Sequence, residues 1–324
     1  MRILPLLLLL ALTAAACGGS RASSPSPTAS PSPSPTRAPS PSPLITSSPT
    51  PVPTPTPPPP PPPPPTVDLS GSVPRQGGFL LVRLLYPPAD LGDAGVSFAG
   101  QTYQMLPAGD RWYALIGLPT WFATGDYPLD VSSSAAPLAA TTVSIGEGGF
   151  QYESIELPPA SEGLLSDQSA VAEERATLDQ IYGGFTPERR WSGSWLLPAA
   201  GNISNVFGLM RSINGAPYYP HSGTDIANEK GTPVWAANSG VVSFAGALFL
   251  FGNAVIIDHG AGVFSAYNHL DSIVAQAGQA VSQGDLLGAM GETGYVNGPH
   301  VHWEIVIHGV RVDPMLWTQG PQEP

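Results

Sequence analysis

The sequence lacks several residue types, and each shortage excludes a class of protein. It has one cysteine among 324 residues, so no disulfide can form within the chain. Lysine and arginine number 12 against 24 acidic residues. With a net charge of -12, the chain lacks the basic surface that nucleic-acid binding requires. Histidine is absent before residue 221, so imidazole chemistry must come from the C-terminal part of the chain.

The single cysteine, Cys17, follows an apolar run at residues 4–12 and three alanines at 14–16. The run is shorter than the roughly 20 residues of a spanning helix and is typical of an export signal. Small residues before a cysteine resemble a bacterial lipoprotein box, in which the cysteine receives lipid. The sequence thus predicts a signal peptide over 1–17 and an exported lipoprotein anchored outside the cytoplasmic membrane. The alternative is an ordinary cleaved signal in which Cys17 occurs by chance.

Residues 18–66 are dominated by proline, serine and threonine and end in an unbroken proline run at 57–65. Such a segment has too few apolar side chains to form a core, so we expect it to be a disordered, extended linker. At about 3.1 Å per residue in polyproline geometry, it could reach on the order of 100–150 Å.

Short apolar or alternating segments follow at intervals of roughly ten residues, separated by glycine, proline and aspartate. They are residues 79–84, 96–98, 103–105, 112–116, 127–131 and 141–145. This spacing predicts an immunoglobulin-like β-sandwich over 67–147. The segment contains no histidine and no paired carboxylates, which favours a spacer or contact module over a catalytic one.

A connector over 148–190 is predicted to contain one helix. Val171, Leu178, Ile181 and Tyr182 fall on one helical stripe within residues 169–182. Asp167 or Ser169 can cap its start, and the glycine pair at 183–184 can end it.

From residue 191 the strand-like pattern returns, and all six histidines of the chain lie in this region. His221 and Asp225 lie four residues apart, a weak signal on its own. In the alternating segment 300–307, a period of two places His300 and His302 on one face and Val301 on the other. Three protein ligands with one position open to water are what a catalytic zinc requires, and His221, Asp225 and the His pair can supply them.

His269 lies in the segment Tyr267-Asn268-His269-Leu270, where a hydrogen-bonded core histidine is the commoner case. Its position between the other two motifs changes that interpretation. In order and spacing, three motifs resemble those of the lysostaphin-type (LytM-like) zinc endopeptidases. They are His221-x-x-x-Asp225, then Tyr-x-His269-Leu, then Gly-Pro-His300-x-His302. Supporting segments are residues 205–208, 231–236, 240–242, 284–288 and 291–294.

The resemblance covers about residues 191–317 and implies a mostly antiparallel β domain with a duplicated hybrid motif. The whole chain is therefore expected to be mostly β, with a sandwich, one connecting helix, a metallopeptidase domain over 191–318 and a tail over 319–324. The resemblance implies one Zn²⁺ ion held by His221, Asp225 and His302, with His269 and His300 as the catalytic histidines.

The remaining polar residues receive lesser roles. Glu304 lies past the ligands on the same strand face and is interpreted as supporting or structural. Tyr218 or Tyr219 could stabilise an oxyanion. His259 and His308, each beside a glycine at a strand end, are predicted to have turn or surface roles.

Three functions follow as hypotheses. The first is a zinc endopeptidase that hydrolyses peptide bonds in peptidoglycan, and the second is a non-catalytic relative that binds the wall or activates an amidase. The third is a carrier domain that shares the hybrid motif, which export disfavours. Degenerate relatives lose ligands, and the presence of all five site residues favours the enzyme.

Overall fold

The computed structural model describes residues 59–156, 167–320 and 323–324. In this structure, the N-terminal half consists of two four-stranded antiparallel sheets. Their order is β1-β2-β6-β5 and β4-β3-β7-β8. The strands are β1 (Thr66–Asp68), β2 (Phe79–Leu85), β3 (Gly95–Phe98), β4 (Gln101–Gln104), β5 (Leu106–Ala108), β6 (Arg111–Gly117), β7 (Gly125–Ser132) and β8 (Pro137–Ile145).

Strand β2 is buried on both of its faces. Leu80, Val82 and Leu84 pack in one hydrophobic cluster with β3 and β7. Phe79 and Leu81 belong to a second cluster that contains Trp317 and most of the C-terminal core. This double burial explains why the segment is a continuous apolar run instead of an alternating one.

One α-helix lies among the described residues, α1 (Gln168–Tyr182). The Asp167 side chain accepts a hydrogen bond from the amide of Ala170, and Gly183 follows the last turn. Leu178 and Tyr182 are buried against strands of the C-terminal sheet, as the helical stripe predicts. Glu174 is also buried on this face, although the stripe did not include it.

The C-terminal half is built on a ten-stranded sheet whose main path runs β10-β13-β20-β17-β16-β15-β18. A three-stranded sheet, β12-β11-β9, flanks it, and in that sheet β9 runs parallel to β11. The strands are β9 (Tyr152–Ile155), β10 (Asn202–Asn205), β11 (Met210–Ile213), β12 (Tyr219–Pro220), β13 (Thr224–Ala227), β14 (Pro233–Trp235), β15 (Gly240–Leu248), β16 (Gly252–Gly260), β17 (Val263–Ile273), β18 (Ala280–Val281), β19 (Leu286–Met290), β20 (His300–Ile307) and β21 (Val310–Val312). A short 3-10 helix, Pro314–Thr318, follows.

The described chain from Pro60 onward clusters as one compact unit, because the core extends across both halves. The rings of Phe79 and Trp317 lie 5.4 Å apart at this junction. Within the described residues, none of the helices has the length and apolar character needed to cross a membrane.

The prediction of a mostly β protein with one connecting helix is confirmed. Of the strand predicted at 103–105, residues 103 and 104 lie in β4, and the buried Met105 lies between β4 and β5. The immunoglobulin-like assignment and the domain boundaries stay predictions. Cys17 and almost all of the proline-rich segment lie outside the described residues.

Candidate metal centre

The three predicted ligands lie close together. Two of them are on neighbouring strands, and the third comes just before one of these strands. In the antiparallel pairing of β13 with β20, Asp225 lies directly opposite His302. His221 precedes β13, and Gly223 brings this segment close to β20. A side chain at Gly223 would collide with the carbonyl oxygen of Trp303 and lie 2.9 Å from His302 Nε2. Glycine is therefore required for the close approach.

The three ligand atoms form a compact triangle. Asp225 Oδ1 lies 3.1 Å from His221 Nε2 and 2.8 Å from His302 Nδ1. The two nitrogens lie 3.0 Å from each other. Zinc–nitrogen and zinc–oxygen bonds are about 2.0–2.2 Å, so tetrahedral ligand atoms lie about 3.3 Å apart, close to these separations.

The other ring nitrogen of each candidate ligand already contacts an acceptor. His221 Nδ1 donates to the carbonyl of Val206 at 3.0 Å. His302 Nε2 lies 3.2 Å from the carboxylate of Glu304. Such contacts fix the tautomer and leave the lone pairs of His221 Nε2 and His302 Nδ1 directed at Asp225.

This donor set fits a divalent cation better than it fits hydrogen bonds alone. If both nitrogens carried protons to Asp225 Oδ1, their 3.0 Å separation would place two donors in contact. A cation bound by all three atoms removes this conflict. Two imidazoles and a carboxylate are ligands that zinc accepts, and no cysteine lies among these ligands.

His269 and His300 lie beside the triangle without belonging to it. Their rings are 4.9 Å apart, and His300 Nε2 lies 3.7 Å from Asp225 Oδ1. His269 Nδ1 donates to the carbonyl of Thr293 at 2.9 Å, and His300 Nδ1 donates to that of Gly298 at 2.8 Å. Each Nε2 therefore carries a lone pair.

The backbone of His269 adopts φ 64°, a left-handed conformation that is uncommon for residues other than glycine. The pairing of β16 with β17 shifts register at this point, between Asn253 and Val255. The bulge turns His269 out of the alternation of β17 and toward the other histidines. The amide of His269 donates to the carbonyl of Phe251 at 2.9 Å, which holds this conformation.

Burial and neighbouring groups shift the pKa values of the site. Burial lowers the pKa of His269 to about 3. His269 is therefore neutral at ordinary pH. Burial by itself would raise the pKa of Asp225, but the contacts of its carboxylate with His221 and His302 outweigh burial and hold that pKa well below its usual range.

Glu304 is fully enclosed beneath His302, where Arg311 balances its charge. The Arg311 Nε donates to Glu304 Oε1 at 2.9 Å. Burial by itself would raise the pKa of Glu304, yet Arg311 and His302 lower it to about 2. Glu304 thus stays ionised and orients His302, in agreement with the supporting role expected from the sequence.

Asn205 is a site residue that the sequence interpretation did not single out. Its Nδ2 donates to Asp225 Oδ2 at 2.8 Å, and its Oδ1 accepts from Arg211 at 2.8 Å. It therefore occupies the carboxylate oxygen that does not face the histidines. The segment 205–208 supported the family resemblance, but the sequence alone gave no partner for the Asn205 side chain.

Tyr218 and Tyr219 are about half exposed on the strand that leads to His221. The Tyr218 hydroxyl lies 2.8 Å from Ser154 Oγ. Burial raises the pKa of Tyr219, so its hydroxyl remains a proton donor at neutral pH. The oxyanion role of either residue stays a prediction.

The expected surface or turn role of His259 is wrong. The side chain is fully buried, with Nδ1 2.7 Å from the carbonyl of Ser239 and Nε2 2.7 Å from Ser265 Oγ. Its ring also packs on Trp195 with centroids 4.5 Å apart. Gly260 ends β16 directly after His259, but β16 is an inner strand of the sheet. Its side chains therefore enter the core. The turn prediction is confirmed for His308, which begins the turn between β20 and β21.

A groove of about 480 Å³ opens beside His221 and Ser222. Its other walls come from α1, from the loop at Leu250 and Phe251, and from Trp121 of the N-terminal half. The metal centre therefore lies next to an elongated space that is partly enclosed by elements outside the sheet.

Residues 219–314 match the model of peptidase family M23. The peptidoglycan DD-endopeptidase ShyA of Vibrio cholerae is 43% identical over 96 residues, 30% of this chain and 22% of that protein. The DD-carboxypeptidase/endopeptidase Mpg of Neisseria meningitidis is 44% identical over 113 residues, 35% of this chain and 26% of that protein. The chain thus spans about a quarter of the length of these curated relatives.

A solved structure extends the likeness beyond the matched segment. A Pseudomonas aeruginosa crystal structure described as a peptidase M23 superposes with a TM-score of 0.54 at 26% sequence identity. The match covers 76% of this chain and 94% of that one, so it includes the N-terminal sheets. Residues 219–314 thus resemble peptidase family M23, and the described fold resembles that of the Pseudomonas aeruginosa structure.

Proposed function

We propose that this protein is a zinc-dependent endopeptidase that hydrolyses peptide bonds in peptidoglycan during cell-wall remodelling. The main support is the triangle of His221, Asp225 and His302, with His269 and His300 beside it. Three ligands leave a fourth position for water or substrate, which distinguishes a catalytic zinc site from a structural one. Peptidoglycan as the substrate is supported by the names of the relatives, which match the segment that carries these residues.

The five site residues have distinct roles in this proposal. A zinc ion held by His221, Asp225 and His302 supplies a Lewis acid for the scissile carbonyl and lowers the pKa of a nearby water. His269 and His300 each keep a lone pair on Nε2, because Nδ1 donates to a backbone carbonyl. Either can accept the proton of the attacking water and return it to the leaving amine.

We further propose that Cys17 is lipidated and that residues 18–66 form a tether, placing the enzyme outside the cytoplasmic membrane. Cys17 as the only cysteine, directly after three alanines, supports this. Replacing Cys17 with Ser should abolish labelling by a radioactive fatty acid and release the protein from membranes. Labelling of the Cys17→Ser variant would contradict lipidation at this position.

The decisive experiment combines metal analysis with digestion of purified sacculi. The wild-type protein should bind one zinc per chain and release muropeptides, whose identity shows the bond that is cut. His302→Ala should lose both zinc and activity. His300→Ala and His269→Ala should keep zinc and lose activity by about 10²–10⁴-fold, the range for removal of a general base.

Three results would count against the proposal. Zinc-free wild-type protein, or digestion by His302→Ala at the wild-type rate, would contradict a zinc enzyme. Stoichiometric zinc without any digestion would instead favour a non-catalytic wall-binding protein.

A further inference from the structure

A second cleft lies on the far side of Trp121 from the metal centre. Its volume is about 610 Å³, and aromatic rings from both halves of the chain line it. Tyr103 lies on β4, Phe122 follows β6, Phe185 follows α1, and His308 lies in the turn after β20. Trp121 stands at the edge with 79% of its surface exposed. Exposed aromatic surface in a concave site indicates a ligand that these rings contact.

The polar groups of the cleft are uncharged. Gln101, Thr102 and Gln104 supply amides and a hydroxyl, and no aspartate, glutamate, lysine or arginine is among the described residues that line it. The groove beside the metal centre differs, since Glu174, Arg175 and Arg311 line it. The groove therefore suits an ionic peptide, and the cleft suits a neutral ligand with apolar faces and polar edges.

A tight turn positions one of these rings. His308 and Gly309 both have positive φ, 48° and 78°, in the two-residue turn that joins β20 to β21. The His308 ring lies 5.8 Å from that of Tyr103 and is stacked at 5.9 Å on that of Phe185. Burial lowers the pKa of His308, so this ring adds no charge at neutral pH.

The cleft and the groove adjoin along a shared wall. Pro119, Trp121 and Val310 line both of them. A polymer in the cleft can therefore extend a side branch past Trp121 toward His221. Peptidoglycan has this form: its glycan strand consists of N-acetylated pyranose rings, and the carboxyl group that would charge the strand is linked to the peptide branch.

We propose that the aromatic cleft binds the glycan strand of the polymer whose peptide branch enters the groove. The proposal rests on the proposed function for the identity of the polymer. Pyranose rings present apolar C–H faces that stack on aromatic side chains such as Trp121 and Phe185. Their hydroxyl and acetamido groups match the hydrogen-bonding side chains of Gln101 and Gln104.

A binding measurement tests the cleft without catalysis. Chitotetraose, the tetramer of N-acetylglucosamine, should bind the zinc-free protein in calorimetry and shift the tryptophan fluorescence. Trp121→Ala and Phe185→Ala should each weaken binding by about tenfold or more, as expected for a central aromatic contact. Tyr86→Ala is the matched control, because Tyr86 is 56% exposed and lies outside the cleft. It should bind as the wild type does.

A kinetic measurement connects the cleft to the substrate. The ratio of the rate on intact peptidoglycan to the rate on a sugar-free cross-linked peptide should fall in Phe185→Ala by about tenfold. An unchanged ratio, or no chitotetraose binding by the wild type, overturns the glycan site. If the wild type binds chitotetraose through Trp121 but hydrolyses neither substrate, the cleft stands and the proposed enzyme does not.

Discussion

At the residue scale, each site histidine is defined by the group that its second nitrogen contacts. Val206, Thr293 and Gly298 offer backbone carbonyls to His221, His269 and His300, and Glu304 offers a carboxylate to His302. In the neutral rings, these contacts favour a single tautomer of each. Preorganisation of this kind reduces the cost of metal binding and proton transfer.

His259 allows a pH prediction because it is buried far from the candidate ligands. Burial lowers its pKa from 6.5 to about 4, so the unfolded chain binds a proton that the folded chain resists. Its contribution to stability is complete above pH 6.5 and is lost as the pH falls toward 4. The loss amounts to about 3 kcal/mol.

Urea unfolding of the wild type and of His259→Gln between pH 7.5 and about 4 measures this contribution. The free energy of unfolding should fall less steeply with decreasing pH in the variant. Since all other titrating groups are common to both proteins, their effect cancels in the difference. Parallel curves would show that His259 does not carry the effect.

At the element scale, α1 supports the metal centre although it lies outside the segment that matches the family. Glu174 on this helix accepts hydrogen bonds from the amides of Leu250 at 2.8 Å and Phe251 at 3.4 Å. The Phe251 ring packs 5.7 Å from that of His302, and its carbonyl accepts from the amide of His269. The helix therefore fixes the loop that borders two site histidines.

Replacing Glu174 with Ala should lower kcat by about tenfold, because the loop amides lose their acceptor at a cost of about 1–3 kcal/mol. Zinc content should not change, since Glu174 contacts none of the ligands. Glu174→Gln keeps a carbonyl acceptor and should recover most of the activity. Glu173→Ala, an exposed neighbour on the same helix, is the control. Equal activity of the Ala variant and the wild type would contradict a positioning role.

At the scale of the whole molecule, the sheet that contains β2 and β6 is the middle layer between the second N-terminal sheet and the C-terminal core. Tyr113 and Leu115 of β6 pack in the C-terminal cluster, whereas Ala114 and Ile116 pack in the N-terminal one. Because a single layer serves two cores, the two halves depend on each other for stability. The aromatic cleft lies along this same junction.

Phe79→Ala should reduce the free energy of unfolding by about 3–5 kcal/mol, because a fully buried ring is lost from the junction. Calorimetry of the wild-type chain should show one transition, and this variant should show two. Leu80→Ala is the matched control, since it lies on the opposite face of the same strand. It should lower the melting temperature and keep one transition. A single transition in Phe79→Ala would contradict the coupling.

Local sequence patterns predicted the mostly β character of this protein, its connecting helix and the candidates for its site. Alternation placed His300 and His302 on one face of a strand, and the stripe of Leu178 and Tyr182 predicted the helix, because both patterns depend only on the backbone repeat. The motifs around His221, His269 and His300 suggested the candidate ligands and catalytic histidines through resemblance. These features need no knowledge of distant contacts.

Only the tertiary structure decided which residues meet across long separations. The pairing of Asn205 with Asp225, of Glu174 with the loop at Phe251, and of Tyr103 with His308 joins segments that local patterns treat separately. The burial of His259 and the left-handed backbone of His269 likewise depend on neighbouring strands. Periodicity shows which way a side chain faces, but the packing of the sheets determines what it faces.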